Sequence, residues 1–184
     1  MNEEDQVAAS KAVSRVLRHR PDAAGLTLDA HGWCSIDALL EGLARTGTSV
    51  TREQLVDIVN TSDKRRFALS ADGSHIRANQ GHSVRGVDLQ LREKSPPPVL
   101  YHGTVAKNLA AIEKRGLLPM NRHDVHLSAD VATASAVGAR RRGELVVLEI
   151  DSYRLHRDGA RFCISENDVW LVPAVPPAYL RRLQ

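Results

Sequence analysis

The chain has 184 residues and 42% apolar content, enough for one large domain or two small ones and too apolar for a disordered chain. Its net charge of +3, from 25 basic and 22 acidic residues, excludes a nucleic-acid coat protein but leaves room for local basic clusters. No apolar run approaches the roughly 18 residues of a membrane span, the acidic start Met1–Asp5 lacks a secretory h-region, and the two distant cysteines, Cys34 and Cys163, predict a reduced cytoplasmic protein without a disulfide framework.

Val7, Ala8, Ala12, Val13, Val16 and Leu17 recur at helical spacing over residues 6–19, and Pro21 stops the helix. A second helix is predicted over Ile36–Leu43, with Ser35 as its N-cap. A third carries Leu55, Ile58 and Val59 and is entered through Thr51, with Gln54 at the capping-box spacing. Arg66–Leu69 and His75–Arg77 read as short strands joined by the turn Ser70–Ser74. Helices followed by a hairpin make a winged-helix pattern, a small fold often used against nucleic acid. Val87, Leu89 and Leu91 then alternate as in a strand, and Pro96–Pro98 form a stiff spacer. The predicted organisation is a first lobe over 1–92, a linker over 93–98 and a second lobe over 99–184.

In the second lobe Val99–His102 reads as a strand and Ala106–Arg115 as a helix stopped by Gly116. Val125–Leu127 is a short strand, and Ala129–Ala139 a helix of small residues with Ser128 at its N-cap. Glu144–Ile150 is a nearly continuous apolar run, predicted as a strand buried on both faces. Ala160–Ile164 and Val169–Val172 add two more strands. Short strands with few helices predict an α+β class.

Arg18-His19-Arg20-Pro21 ends the first helix. Arg18 is a fixed cation with a planar donor fork suited to phosphate oxygens, and His19 exchanges a proton near neutral pH. Taken alone, such cations also simply offset the helix dipole. Other basic clusters fall at 64–66, 140–142 and 181–182, the last reading as a solvated face. Tyr101-His102-Gly103-Thr104 is a sharper signal, because glycine after histidine at a strand end lets a ligand approach the backbone closely. Among the eight histidines, His123 and His126 form an i, i+3 pair with no other ligand cluster beside them, so no metal site is expected. Gly-x-Ser-x-Gly, Walker and Gly-x-Gly-x-x-Gly motifs are absent, which removes support for hydrolase-elbow, nucleotide-triphosphatase and Rossmann readings.

The ordered combination resembles the NAD-dependent RNA 2′-phosphotransferase family, from about Lys11 to Pro176. The segments that carry it are Ser14–Pro21 with Leu-Arg-His, Gly32-Trp33 before the Leu39-Leu40 helix, and Asp63-Lys64-Arg65-Arg66-Phe67. They continue with Ile76–Ser83, Tyr101-His102-Gly103-Thr104 and Arg122–Ser128, then Val137-Gly138-Ala139-Arg140 and Ser165–Leu171. The resemblance implies a winged-helix RNA-binding lobe followed by an ADP-ribosyltransferase-like NAD lobe. It implies removal of an internal 2′-phosphate from RNA, as left by some tRNA splicing pathways, by a monomer that consumes NAD and needs no metal. The implied products are 2′-OH RNA, nicotinamide and ADP-ribose 1″,2″-cyclic phosphate, formed through an RNA 2′-phospho-ADP-ribose intermediate. Arg18, His19, Arg66 and Arg140 match the family's catalytic set. His102, Gly103, Thr104, His126, Ser128 and Val169 match its NAD site.

Two departures stand out. Arg141-Arg142-Gly143-Glu144-Leu145 follows Arg140 where the family usually runs one residue shorter and carries a lysine–proline pair. Asp168 stands where glycine is common. The chemistry suits these residues independently. A phosphomonoester is mostly dianionic at neutral pH, its second pKa being about 6, so it attacks the nicotinamide-bearing carbon without a general base. Two rivals follow from the same sequence: ADP-ribosylation of terminal phosphates or of protein, and a non-catalytic winged-helix protein that senses NAD.

Overall fold

Asn2 starts the first helix, α1 (Glu3–Arg18), by accepting the Asp5 N–H on its side chain at 2.8 Å. Glu3, Glu4 and Asp5 in the first turn and Arg15 and Arg18 in the last complement the helix dipole. The computed structural model describes residues 2–62 and 65–183. Asp63 and Lys64, which open the basic motif before Phe67, lie outside the described residues. The chain divides into an N-terminal unit, Met1–Gln90, and a C-terminal unit, Leu91–Gln184. Both mix helix and strand. Among the described residues there are six α-helices and three small antiparallel sheets. No helix among them is long and apolar enough to cross a membrane.

In the N-terminal unit α1 is followed by β1 (Cys34–Ser35), α2 (Ile36–Arg45), α3 (Arg52–Asn60), β2 (Phe67–Leu69) and β3 (His75–Ala78). Ser35 caps α2 by accepting the Ala38 N–H. Thr51 and Gln54 form both bonds of the capping box on α3. The hairpin is tied at its turn by Asp72, which accepts from the Ser70 and Ser74 hydroxyls; these bonds hold its carboxyl well below the usual range. The sheet runs in the order β1-β3-β2. Val13 and Leu17 of α1 meet Ile36, Leu39, Leu43, Leu55, Phe67 and Ile76 in one core. Each such Leu or Ile contributes roughly 2 kcal/mol by leaving water. Trp33 and Arg77, from two motif segments, stack with the guanidinium 4.7 Å from the ring centroid.

The strand expected around Val87, Leu89 and Leu91 is a loop. Val87 and Leu89 instead pack over Gly32, where an added Cβ would sit 3.3 Å from each and 3.2 Å from the His82 ring. The Asp88 N–H bonds the Ala30 carbonyl at 2.8 Å, and Gln90 turns the chain at φ 49. The alternation records this packing, not a ladder.

The C-terminal unit holds β4 (Arg92–Glu93), β5 (Val99–Val105), α4 (Leu109–Arg115), β6 (Val125–Leu127), α5 (Val131–Gly138), β7 (Leu145–Asp151), α6 (Ser152–Arg157), β8 (Cys163–Ile164), β9 (Trp170–Val172) and β10 (Leu180–Arg182). One sheet has the order β10-β7-β5 and the other β4-β8-β9-β6. They share one core, in which Leu100, Leu148 and Ile150 meet Val125, Leu127, Trp170 and Val172. The two sheets join at Tyr101 and Ser128, which exchange backbone hydrogen bonds of 2.9 and 2.8 Å. The proline run is tied down here, since the Ser152 hydroxyl donates to the Pro97 carbonyl at 2.7 Å.

Three expectations are corrected. The cap of α5 is Asp130, which accepts the Thr133 N–H at 2.7 Å, because the Ser128 backbone is committed to Tyr101. β7 alternates: Val146, Leu148 and Ile150 are buried, whereas Leu145 is exposed and Glu149 pairs with Arg181 of β10. The strand expected over Ala160–Ile164 shrinks to Cys163–Ile164, pairing with β4 on one side and β9 on the other.

Gly103 lies in the middle of the seven-residue β5, not at its end. A Cβ there would fall 1.8 Å from the Ala134 carbonyl oxygen and 2.8 Å from the Gly138 nitrogen, both α5 backbone. Gly138 faces it in the same way, with Gly103 backbone 3.0 Å from its own absent Cβ. The close approach that glycine permits is therefore that of α5. Gly103→Ala should force the helix off the sheet and cost about 3 kcal/mol, read as a lower urea midpoint at unchanged slope. An unchanged midpoint would show that α5 does not need this contact.

Candidate active site

Arg18, His19 and Arg66, far apart in sequence, line one open pocket of about 580 Å³ in the N-terminal unit. Lys11, Ser14 and Arg15 of α1 and Ser62 share its wall. The helix end supplies the first pair: Arg18 is its last residue, and His19 leaves helical geometry with its N–H still on the Arg15 carbonyl at 3.0 Å. Arg66 enters β2, and its Nη1 donates to the Ser62 hydroxyl at 3.3 Å.

A strap after β3 ties these parts together. The Asn79 N–H bonds the Arg66 carbonyl at 2.9 Å, and its amide donates to the Arg65 carbonyl at 2.7 Å. Four residues on, the Ser83 N–H takes the Arg18 carbonyl at 2.8 Å, and the Ser83 Oγ lies 2.9 Å from the His19 Nδ1. Four cations, Lys11, Arg15, Arg18 and Arg66, thus line one space together with His19 and a single carboxylate, Glu3. Such a pocket suits a multiply charged oxyanion, since guanidinium forks match phosphate oxygens in geometry as well as charge. The sequence motif pointed to Arg18, His19 and Arg66. It did not reveal the work of Asn79, which reaches back 14 residues to Arg65, or of Ser83, which reaches back 64 to His19.

In the C-terminal unit His102 sits on β5 and donates Nδ1–H to the His126 carbonyl at 3.0 Å, because a carbonyl can only accept. His126 does the same toward the Asp124 carbonyl, also at 3.0 Å. Both rings are thereby set with the acceptor nitrogen at Nε2 when neutral. Burial lowers the His102 pKa, the His126 carbonyl opposes this, and the positive charges of Arg141 and Arg122 lower it further. Arg122 is itself lowered by burial and by Arg141. Asp124 is raised by burial, with the charge of His123 opposing.

The other expected residues fall around this cluster. Thr104 is buried, and its hydroxyl accepts from the Asn108 amide at 3.2 Å, a bond that steadies the turn after β5. Ser128 holds the sheet junction. Val169 closes the turn before β9, its N–H on the Ser165 Oγ at 3.1 Å and its carbonyl on the Ser165 N–H at 3.0 Å. Asp168 has φ 60, so the chain keeps here the left-handed path that glycine adopts without strain. Arg140 is exposed in the turn after α5, in a different unit from Arg18, His19 and Arg66. Arg141, not Arg140, is the neighbour whose charge reaches His102. Among the described residues no group of three or more His, Cys, Asp or Glu is placed to hold a metal ion.

The cluster makes a testable statement. His102 should titrate below its ordinary 6.5 in the folded chain. Since the unfolded chain then holds this proton more tightly, stability should fall as pH drops through about 6.5 toward the folded midpoint. In an NMR titration Arg141→Ala should raise the His102 midpoint and Arg140→Ala should leave it in place. The reverse pattern would mean that Arg140 is the cation facing His102.

Comparison with known proteins agrees on one family. A family model described as RNA 2′-phosphotransferase, Tpt1 / KptA family, matches residues 4–174. A protein of Burkholderia pseudomallei named probable RNA 2′-phosphotransferase is 57% identical over 173 residues, covering 94% of this chain and 93% of its own. Proteins with the same name from Streptomyces coelicolor and Rhodopirellula baltica are 54% identical over 181 residues and 52% identical over 174. They cover 98% and 95% of this chain, and 97% and 94% of their own lengths. With a match of this extent, running through both units, the chain belongs to the RNA 2′-phosphotransferase, Tpt1 / KptA family.

Proposed function

We propose that this protein removes an internal 2′-phosphate from RNA and transfers it to NAD, giving 2′-OH RNA, nicotinamide and ADP-ribose 1″,2″-cyclic phosphate. The observation that carries the reading is the convergence of Arg18, His19 and Arg66 in one cationic pocket of a chain from this family. The order helix, strand, helix, helix, hairpin in the N-terminal unit supports a winged-helix lobe that holds RNA. Two antiparallel sheets joined at Tyr101 and Ser128 support an ADP-ribosyltransferase-type lobe for NAD.

In this reading the guanidinium groups of Arg18 and Arg66 hold the 2′-phosphate as a dianion, already nucleophilic without a base. NAD supplies the ribose carbon that this phosphate attacks and the 2″-hydroxyl that later takes the phosphorus. The donor set of the C-terminal unit fits such an anionic dinucleotide. Arg122 and Arg141 bring positive charge beside His102, and the depressed pKa keeps that ring neutral, with Nε2 able to accept from a ribose hydroxyl. Gly103 and Thr104 serve indirectly, by seating α5 and the turn after β5, while His126, Ser128 and Val169 shape the same region. In the second step the RNA 2′-oxygen leaves and gains a proton while the attacking hydroxyl loses one. His19 is the proton donor to the leaving oxygen. Arg18 and Arg66, with Arg140 by motif, stabilise the charge that gathers on phosphorus oxygens.

The two steps make unequal demands. The first has a ready anionic nucleophile and a good leaving group, and the second must expel an alkoxide. With 2′-phosphorylated RNA and NAD under single turnover, His19→Ala and Arg66→Ala should therefore accumulate ADP-ribosylated RNA. Formation of 2′-OH RNA should slow by about 10²–10⁴. If folded variants slow nicotinamide release as much as RNA release and no such species is visible, this division of labour is wrong.

A further inference from the structure

We propose that Ser83 is the positioning residue of His19, setting which ring nitrogen meets the pocket; the inference rests on the functional reading above. Ser83 is 64 residues from His19 in sequence, yet its Oγ lies 2.9 Å from the His19 Nδ1. A purely structural role is already discharged by its backbone. The Ser83 N–H closes the α1 end on the Arg18 carbonyl at 2.8 Å and needs no side chain. The hydroxyl reaches that same carbonyl at 3.5 Å. With its proton turned there, Oγ is left to accept from Nδ1–H.

That arrangement has a consequence for proton transfer. An imidazole whose Nδ1 carries the proton presents Nε2 as the nitrogen that gains and loses the second one. In both the neutral and the cationic ring Nδ1–H keeps its bond to Ser83, so only Nε2 changes state. The tie also limits the rotation of an otherwise exposed side chain. The strap is anchored on both sides: Asn79 is bonded to the backbone of Arg65 and Arg66, and the buried His82 sits beside Gly32, its ring 3.2 Å from where a Cβ would lie. One short segment therefore holds His19 and Arg66 at opposite ends.

The test combines spectroscopy with kinetics on the full chain. Nitrogen NMR of the histidine rings, without RNA or NAD, should show neutral His19 as the Nδ1–H tautomer. Ser83→Ala should convert it to a mixture with the Nε2–H form, and Ser83→Thr, which keeps the hydroxyl, should restore it. With 2′-phosphorylated RNA and NAD, Ser83→Ala should lower kcat for 2′-OH RNA release by about 10–100-fold at nearly unchanged KM, with Ser83→Thr recovering most of the loss. An unchanged tautomer in a folded Ser83→Ala chain, or a loss that Ser83→Thr does not repair, would overturn the proposal. Should the unaltered chain fail to process the RNA at all, the functional reading falls, and the tautomer measurement still decides whether Ser83 sets the His19 ring.

Discussion

The hydrogen bond from the Ser83 amide to the Arg18 carbonyl is the constraint on which the N-terminal unit depends. A helix end leaves carbonyls without intrahelical partners, which must otherwise turn to water. Here the strap that follows β3 returns across the helix end and satisfies the last carbonyl. Its other end holds the backbone of Arg65 and Arg66 through Asn79. The positive charges that would repel one another in an open chain are thus kept around one pocket.

The C-terminal unit solves a different problem. Its two sheets must share one core and still present polar groups along β5. Backbone contact between α5 and β5 through Gly103 and Gly138 draws the helix close enough to cover that face of the sheet without bulky side chains. The opposite face carries Leu100 into the core and His102 beside it. The His126 carbonyl then fixes the ring. His102 is thus desolvated and oriented, whereas His19 stands exposed at the helix end.

What the sequence revealed follows the range of the interactions. The capping box at Thr51 and Gln54 and the stop at Pro21 are local, and both appear where the residues predicted them. The cap of α5 was misplaced by two residues because Ser128 and Asp130 are equally good capping types; the choice is made by the ladder bond from Tyr101, a long-range fact. The period-two pattern of Val87, Leu89 and Leu91 has the form of a strand, yet Val87 and Leu89 pack over Gly32 from a loop. β1 is too short to leave a pattern at all. In the sites, motif order pointed to Arg18, His19, Arg66 and His102. The residues that orient them, Ser83, Asn79 and the His126 carbonyl, do so by contacts that no spacing announces.

The central claim is that the 2′-phosphate leaves RNA by transfer to NAD. The most direct measurement follows a radiolabelled 2′-phosphate on a short RNA incubated with the full chain and NAD. The account predicts that label appears in ADP-ribose 1″,2″-cyclic phosphate, one for each nicotinamide released, and that nothing moves without NAD. Label released as inorganic phosphate in the absence of NAD, or retained on an RNA that accumulates ADP-ribose as a stable end product, would contradict it.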